Sequence, residues 1–167
     1  MKKHIIVISA LSVALLGCQV IGSPESTSSV SSLASSTLSE KALSEALQAF
    51  GSQSTGETKG LASLVRESTG LTSEQAMGGI GSLLALAQGS LEQSQNNELG
   101  KLISGYDALK STGLSTLITN QGSLETAFSQ LGISPSMIST IAPVLINALK
   151  SQGASTGLMK SLSALWK

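Results

Sequence analysis

From about residue 39 onward, apolar residues recur at the three- and four-residue spacing that puts them on one face of a helix. Ala42, Leu43, Ala46, Leu47 and Phe50 make the first such stripe, and Gly51 sits where a C-terminal cap belongs. The polar run from Gly51 to Gly60 is expected to be a loop. Leu61, Leu64 and Val65 mark a short second helix closed near Gly70. Thr72-Ser73-Glu74-Gln75 has the form of a capping box, with Thr72 as cap and Gln75 reaching back. It predicts a helix running to about Gln88 with a core face of Ala76, Ile80, Leu83, Leu84 and Ala87.

Further short helices are predicted around Leu99, Leu102 and Ile103, around Tyr106 and Leu109, and around Leu114, Leu117 and Ile118. Leu124, Ala127, Phe128 and Leu131 repeat at i, i+3, i+4 and i+7, and Gly132 is placed to end that helix. Ser134-Pro135 is expected to open the next helix, with Ser134 as cap and Pro135 at its first position. Its face is Ile138, Ile141, Ala142, Leu145 and Leu149. Pro143 lies within it and is expected to kink it, because a backbone donor is missing. Gly153 ends this helix, and Leu158, Leu162, Leu165 and Trp166 form a final one. Gly70-Leu71-Thr72 with Leu83-Leu84 is echoed by Gly132-Ile133-Ser134 with Leu145-Ile146 at a constant offset of 62 residues. The echo suggests two related helical hairpins packed on one another.

Gly78, Gly79 and Gly81 fall inside the Thr72 helix, where each costs about 1 kcal/mol relative to alanine. Close approach of a neighbouring helix is the compensation expected. A phosphate-cradling loop would need a preceding strand and a Gly-Lys-Ser/Thr ending, and the sequence has neither. Aromatic residues are only 2% of the chain, and Leu, Ile, Ala, Val and Met carry the apolar load. Strands would call for more β-branched and aromatic residues. The fold class expected is all-α: a bundle of about six to eight short helices.

The first 38 residues differ in kind. Met1-Lys2-Lys3-His4 is a short basic start, and Ile5 to Leu16 is an apolar run of the length found in signal peptides. That run is short of the roughly 20 residues a membrane-spanning helix needs. Leu15-Leu16-Gly17-Cys18 follows and resembles the bacterial lipobox, which is cut between Gly17 and Cys18. The resemblance implies a diacylglycerol thioether on the Cys18 sulfur and an acyl group on its new amino terminus, so that the membrane is reached through acyl chains. Gln19, rather than aspartate, follows the cysteine, which by the enteric sorting rule implies the outer membrane, facing the periplasm. Residues 18–38 are rich in serine, with too little apolar surface to offset the entropy of ordering, and are expected to be a tether. The division is therefore 1–17 signal peptide, 18–38 lipidated cysteine and tether, and 39–167 helical domain.

The run from Gly70 to Leu91, with that from Leu131 to Gly153 and the closing leucine-rich helix, resembles the VcgC/VcgE-type family of bacterial proteins of unknown function. The resemblance extends from about Leu43 to the end of the chain. It implies a helical, exported, single-domain protein and brings no catalytic residues or cofactor.

Charge and side-chain inventory narrow the function. The whole chain is neutral; without Lys2 and Lys3 it carries eight basic and ten acidic residues, a net charge of −2. Nucleic acid, which requires a clustered basic face, is not an expected partner. His4 and Cys18 are the only histidine and cysteine, so the predicted mature body has no imidazole and no thiol. Ser–His–Asp and Cys–His catalysis, zinc ligation and an internal disulfide are thereby excluded there. From Lys41 onward no lysine has a serine three residues before it, so a Ser-x-x-Lys dyad is absent too. Gln95-Asn96-Asn97-Glu98 reads as a helix start rather than a calcium loop. Tyr106 and Trp166 are expected to pack in or beside the core. No catalytic, cofactor-binding or metal site is assigned. The function expected is a non-catalytic interaction or structural domain on a lipid anchor, with an envelope protein as partner. The alternative is a carrier or sensor of an apolar ligand held between helices.

Overall fold

The structure is a computed structural model that describes residues 30–53 and 56–167, and of residues 30–40 the helical backbone only. Among the described residues there are nine α-helices and no strand. They are α1 (Val30–Gln53), α2 (Gly56–Thr69), α3 (Ser73–Ser90), α4 (Gln93–Leu102), α5 (Ala108–Thr112), α6 (Leu114–Leu117), α7 (Gln121–Gln130), α8 (Ile138–Ser151) and α9 (Thr156–Leu165), with a 3-10 turn at Pro135–Met137 before α8. The all-α class holds.

The organising element is α3. It opens on the predicted capping box: the Thr72 hydroxyl accepts from the Gln75 N–H, and the Gln75 side chain accepts from the Thr72 N–H. Every residue from Gly78 to Ala87 is buried, so the helix is enclosed all round rather than on the single face its leucines suggested. Helices α1, α2, α5, α6, α7, α8 and α9 all pack against it. A helix apolar on every side is stable only when surrounded. Ser82, the one polar side chain in this stretch, is satisfied by donating to the Gly78 carbonyl.

The three glycines of α3 have unequal reasons. A Cβ on Gly78 would lie 2.8 Å from Leu131, and one on Gly81 would lie 2.8 Å from the Phe50 ring. At Gly79 the nearest atoms, from Ile133 and Phe128, would be 3.6 Å away, an ordinary contact. Close approach is therefore enforced at two of the three positions, by α1 on one side and the end of α7 on the other.

The two halves pack reciprocally. Gly70 and Gly132, 62 residues apart, are both left-handed, with φ of 72° and 69°. Helix α2 lies on α8 as α7 lies on α3. The copies nevertheless open differently. Thr72 caps α3, whereas the Ser134 hydroxyl is paired with Ser136 and caps nothing, and Pro135 begins a 3-10 turn. The α-helix starts only at Ile138 and continues through Pro143, which is exposed.

Three boundaries differ from expectation. Helix α1 starts at Val30, inside the 18–38 stretch read as tether, because Val30, Leu33, Ala34 and Leu38 supply apolar positions and serine costs a helix far less than glycine or proline. Gly51 lies within α1, which continues to Gln53, and α2 begins at Gly56 rather than after Gly60. What fixes the start of α2 is tertiary: the Thr58 hydroxyl, fully buried, donates to the Ser104 carbonyl, and the Glu57 carboxylate accepts from the Ser104 N–H and O–H. Ala42, expected in the core stripe, is exposed.

Candidate functional site

Gly17 and Cys18, the predicted cleavage and lipidation positions, lie outside the described residues. Within them, two features hold polar side chains together.

The first is a partly buried network where α3 ends, with Tyr106 as its buried member. The Tyr106 hydroxyl, on a residue only 1% exposed, donates to the Asn96 side-chain oxygen. The Asn96 amide donates to the carbonyls of Gln88 and Leu91, and the Gln88 amide donates to the Tyr106 carbonyl. Two orphan carbonyls of the last turn of α3 are thereby satisfied from α4. Burial, and after it the charge of Asp107, hold the Tyr106 hydroxyl well above the usual phenol range. The polar run at Gln95–Glu98 thus lies in a helix, as expected, and Asn96, the first of its two asparagines, caps the end of α3. Trp166 plays a similar part: buried, it donates its indole N–H to the Leu83 carbonyl at 3.1 Å. Both polar tips are taken up by hydrogen bonds within the fold.

The second feature is an open groove of about 1360 Å³ between α1 and α2 on one side and α3 and α7 on the other. Its floor is aliphatic, from Leu47, Ala62, Met77 and Leu131. Ser44, Ser63, Ser73, Thr126 and Ser129 add hydroxyls around it. The α2 wall carries Lys59, Ser63 and Arg66, which at i, i+4 and i+7 share one helix face. Arg66 is the only arginine in the chain. The two ion pairs among the described residues, Lys41–Glu45 and Lys110–Asp107, involve neither Lys59 nor Arg66. Glu74 stands on the α3 wall. Sequence reasoning missed this groove. Lys59 fell in the stretch read as a loop, so its helical spacing to Arg66 emerged only with the start of α2 at Gly56, and which elements would face the two depended on tertiary packing.

Chemically the groove offers an adaptable aliphatic floor, hydroxyls and two cations with no ion-pair partner among the described residues. Among the described residues no three His, Cys, Asp or Glu side chains gather where they could hold a metal ion. No single described helix is long and apolar enough to cross a membrane; α7 with the segment Pro135–Ser151 qualifies only as a pair bent by 114°, and the apolar faces of both lie in the core.

No curated protein and no solved structure matches the chain. A family model described as protein of unknown function VcgC/VcgE (DUF2780) matches residues 13–163, nearly the whole sequence. The chain belongs to that family.

Proposed function

We propose that this chain is a cell-envelope lipoprotein whose helical body is a non-catalytic docking module. The observation that carries the reading is Leu15-Leu16-Gly17-Cys18 directly after a basic start and an apolar run of signal-peptide length. Two or three acyl chains on Cys18, at about 0.8 kcal/mol per buried methylene, give stable anchoring where one chain gives only marginal binding. The body itself supports the need for such an anchor. Leu64, 47% exposed, is its one exposed large hydrophobic side chain among the described residues. A single exposed large apolar side chain is a weak hold on a bilayer compared with acyl chains. Gln19 after the cysteine favours the outer membrane, with the body in the periplasm.

The docking role is supported by the groove, which combines an aliphatic floor with two cations that have no ion-pair partner among the described residues. Its volume exceeds the roughly 300–1,000 Å³ typical of small-molecule sites, which favours a segment of another protein. The alternative, a carrier of an apolar ligand between helices, has less behind it. The space beside α3 is filled by Phe50 and Leu131 to within van der Waals contact, and the groove is open and rimmed by hydroxyls.

Proximity labelling in the native host tests both halves of the reading. The lipidated protein should mark envelope proteins, and Cys18→Ser should lose them while keeping its fold. An unlipidated protein with the same labelling pattern would contradict the anchor.

A further inference from the structure

We infer that the groove walled by α1, α2, α3 and α7 takes an amphipathic helix of a partner protein, aliphatic on its inner stripe and carrying carboxylates two turns apart along one edge. The inference rests on the docking role proposed above and names the chemistry of the partner. Lys59 and Arg66 stand seven residues apart on one face of α2, so their stems are about 10 Å apart along the axis. A partner helix lying along α2 repeats its own side chains at the same interval, and a pair of carboxylates at i and i+7 meets both cations. Neither cation has an ion-pair partner among the described residues, so no ion pair among them is lost on binding. Ser63 lies between them and is small; its hydroxyl donates to the Lys59 carbonyl and is left to accept from a partner. The floor of Leu47, Met77 and Leu131 accepts aliphatic anchors, with the unbranched Met77 able to adapt its shape. Of the charged residues lining the groove, the two cations are on α2 and the one carboxylate, Glu74, is on α3, so the positive character lies along one edge. That asymmetry requires the partner's acidic stripe to lie on one flank only, which sets its orientation.

The test uses the full mature chain in detergent and a labelled synthetic helix. The probe has leucines along one stripe and glutamates seven residues apart on its edge; a twin carries glutamine in place of glutamate. The glutamate peptide is expected to bind roughly fivefold to tenfold tighter than its twin, with the difference shrinking at high salt. Lys59→Gln with Arg66→Gln should remove the difference. Lys59→Glu with Arg66→Glu should transfer the preference to a lysine-bearing peptide. Equal binding of the two peptides, or no effect of the charge exchange, would overturn the inference. So would a wild-type protein that dimerises through this face and becomes monomeric with Ser63→Trp, since the occupant would then be a second copy. The docking role is read separately, from partner labelling. If Ser63→Trp leaves labelling unchanged, the groove is not the docking face, and role and inference fall together. If it abolishes labelling while both peptides bind alike, only the acidic-helix chemistry falls.

Discussion

Glycine gives the sharpest contrasts at the scale of single residues. Gly60 lies inside α2 and faces open space, so alanine there gains helix propensity with nothing to displace. Gly60→Ala is expected to stabilise the protein by about 1 kcal/mol, a rise in melting temperature of about 2–4 °C for a chain of this size. Gly81→Ala gains the same propensity but drives a methyl into the buried Phe50 ring. With overpacking costing about 1–3 kcal/mol, its net effect should be a loss of up to about 2 kcal/mol. Gly78→Ala meets the half-buried, flexible end of Leu131 and should fall between the two. Calorimetry of the three variants checks the order; a Gly81→Ala as stable as Gly60→Ala would refute the packing account of α3. Tyr106, the only tyrosine, supplies a second test. Its folded-state pKa is raised, so the folded protein keeps the proton after the unfolded chain has lost it. The stability it contributes is complete below about pH 10, the unfolded value, and is lost as pH rises above it. Denaturation followed across the alkaline range should show this decline, and Tyr106→Phe should flatten it.

Among the elements, the sequence and the structure agree where local chemistry decides and part where distant contacts do. The capping box at Thr72, the left-handed Gly70 and Gly132, and the stripes of α7, α8 and α9 could all be read from spacing alone. The start of α2 could not, because it depends on Glu57 and Thr58 meeting Ser104, nearly fifty residues away. Nor could the burial of α3 on every side, which arises from the number of helices packed round it. Its unusual small residues were the available sign: Gly78, Gly79, Gly81, Ser82, Ala85 and Ala87 leave room for neighbours that no local pattern identifies. The groove was hidden for the same reason, since its walls come from four separate helices. The end of α3 depends on one side chain from α4. Asn96→Ala removes the amide that serves the Gln88 and Leu91 carbonyls and strands the Tyr106 hydroxyl. Chemical denaturation should register a loss of about 1–3 kcal/mol. A neutral result would mean that water serves these groups equally well.

The whole molecule brings together an N-terminal run that reads as an address and a body built round one enclosed helix. Among the body's described residues Leu64 is the one exposed large hydrophobic side chain, its acid–base inventory is sparse, and its groove is edged by two cations with no ion-pair partner there. On this account the body's work is contact, and attachment to the membrane is left to Cys18. Intact mass and N-terminal analysis of the protein purified from the membranes of its own host tests that claim most directly. The account predicts a chain that begins at Cys18 and carries the added mass of a diacylglycerol and an amide-linked acyl group. A chain that begins at any other residue, or one with an unmodified cysteine, would contradict it.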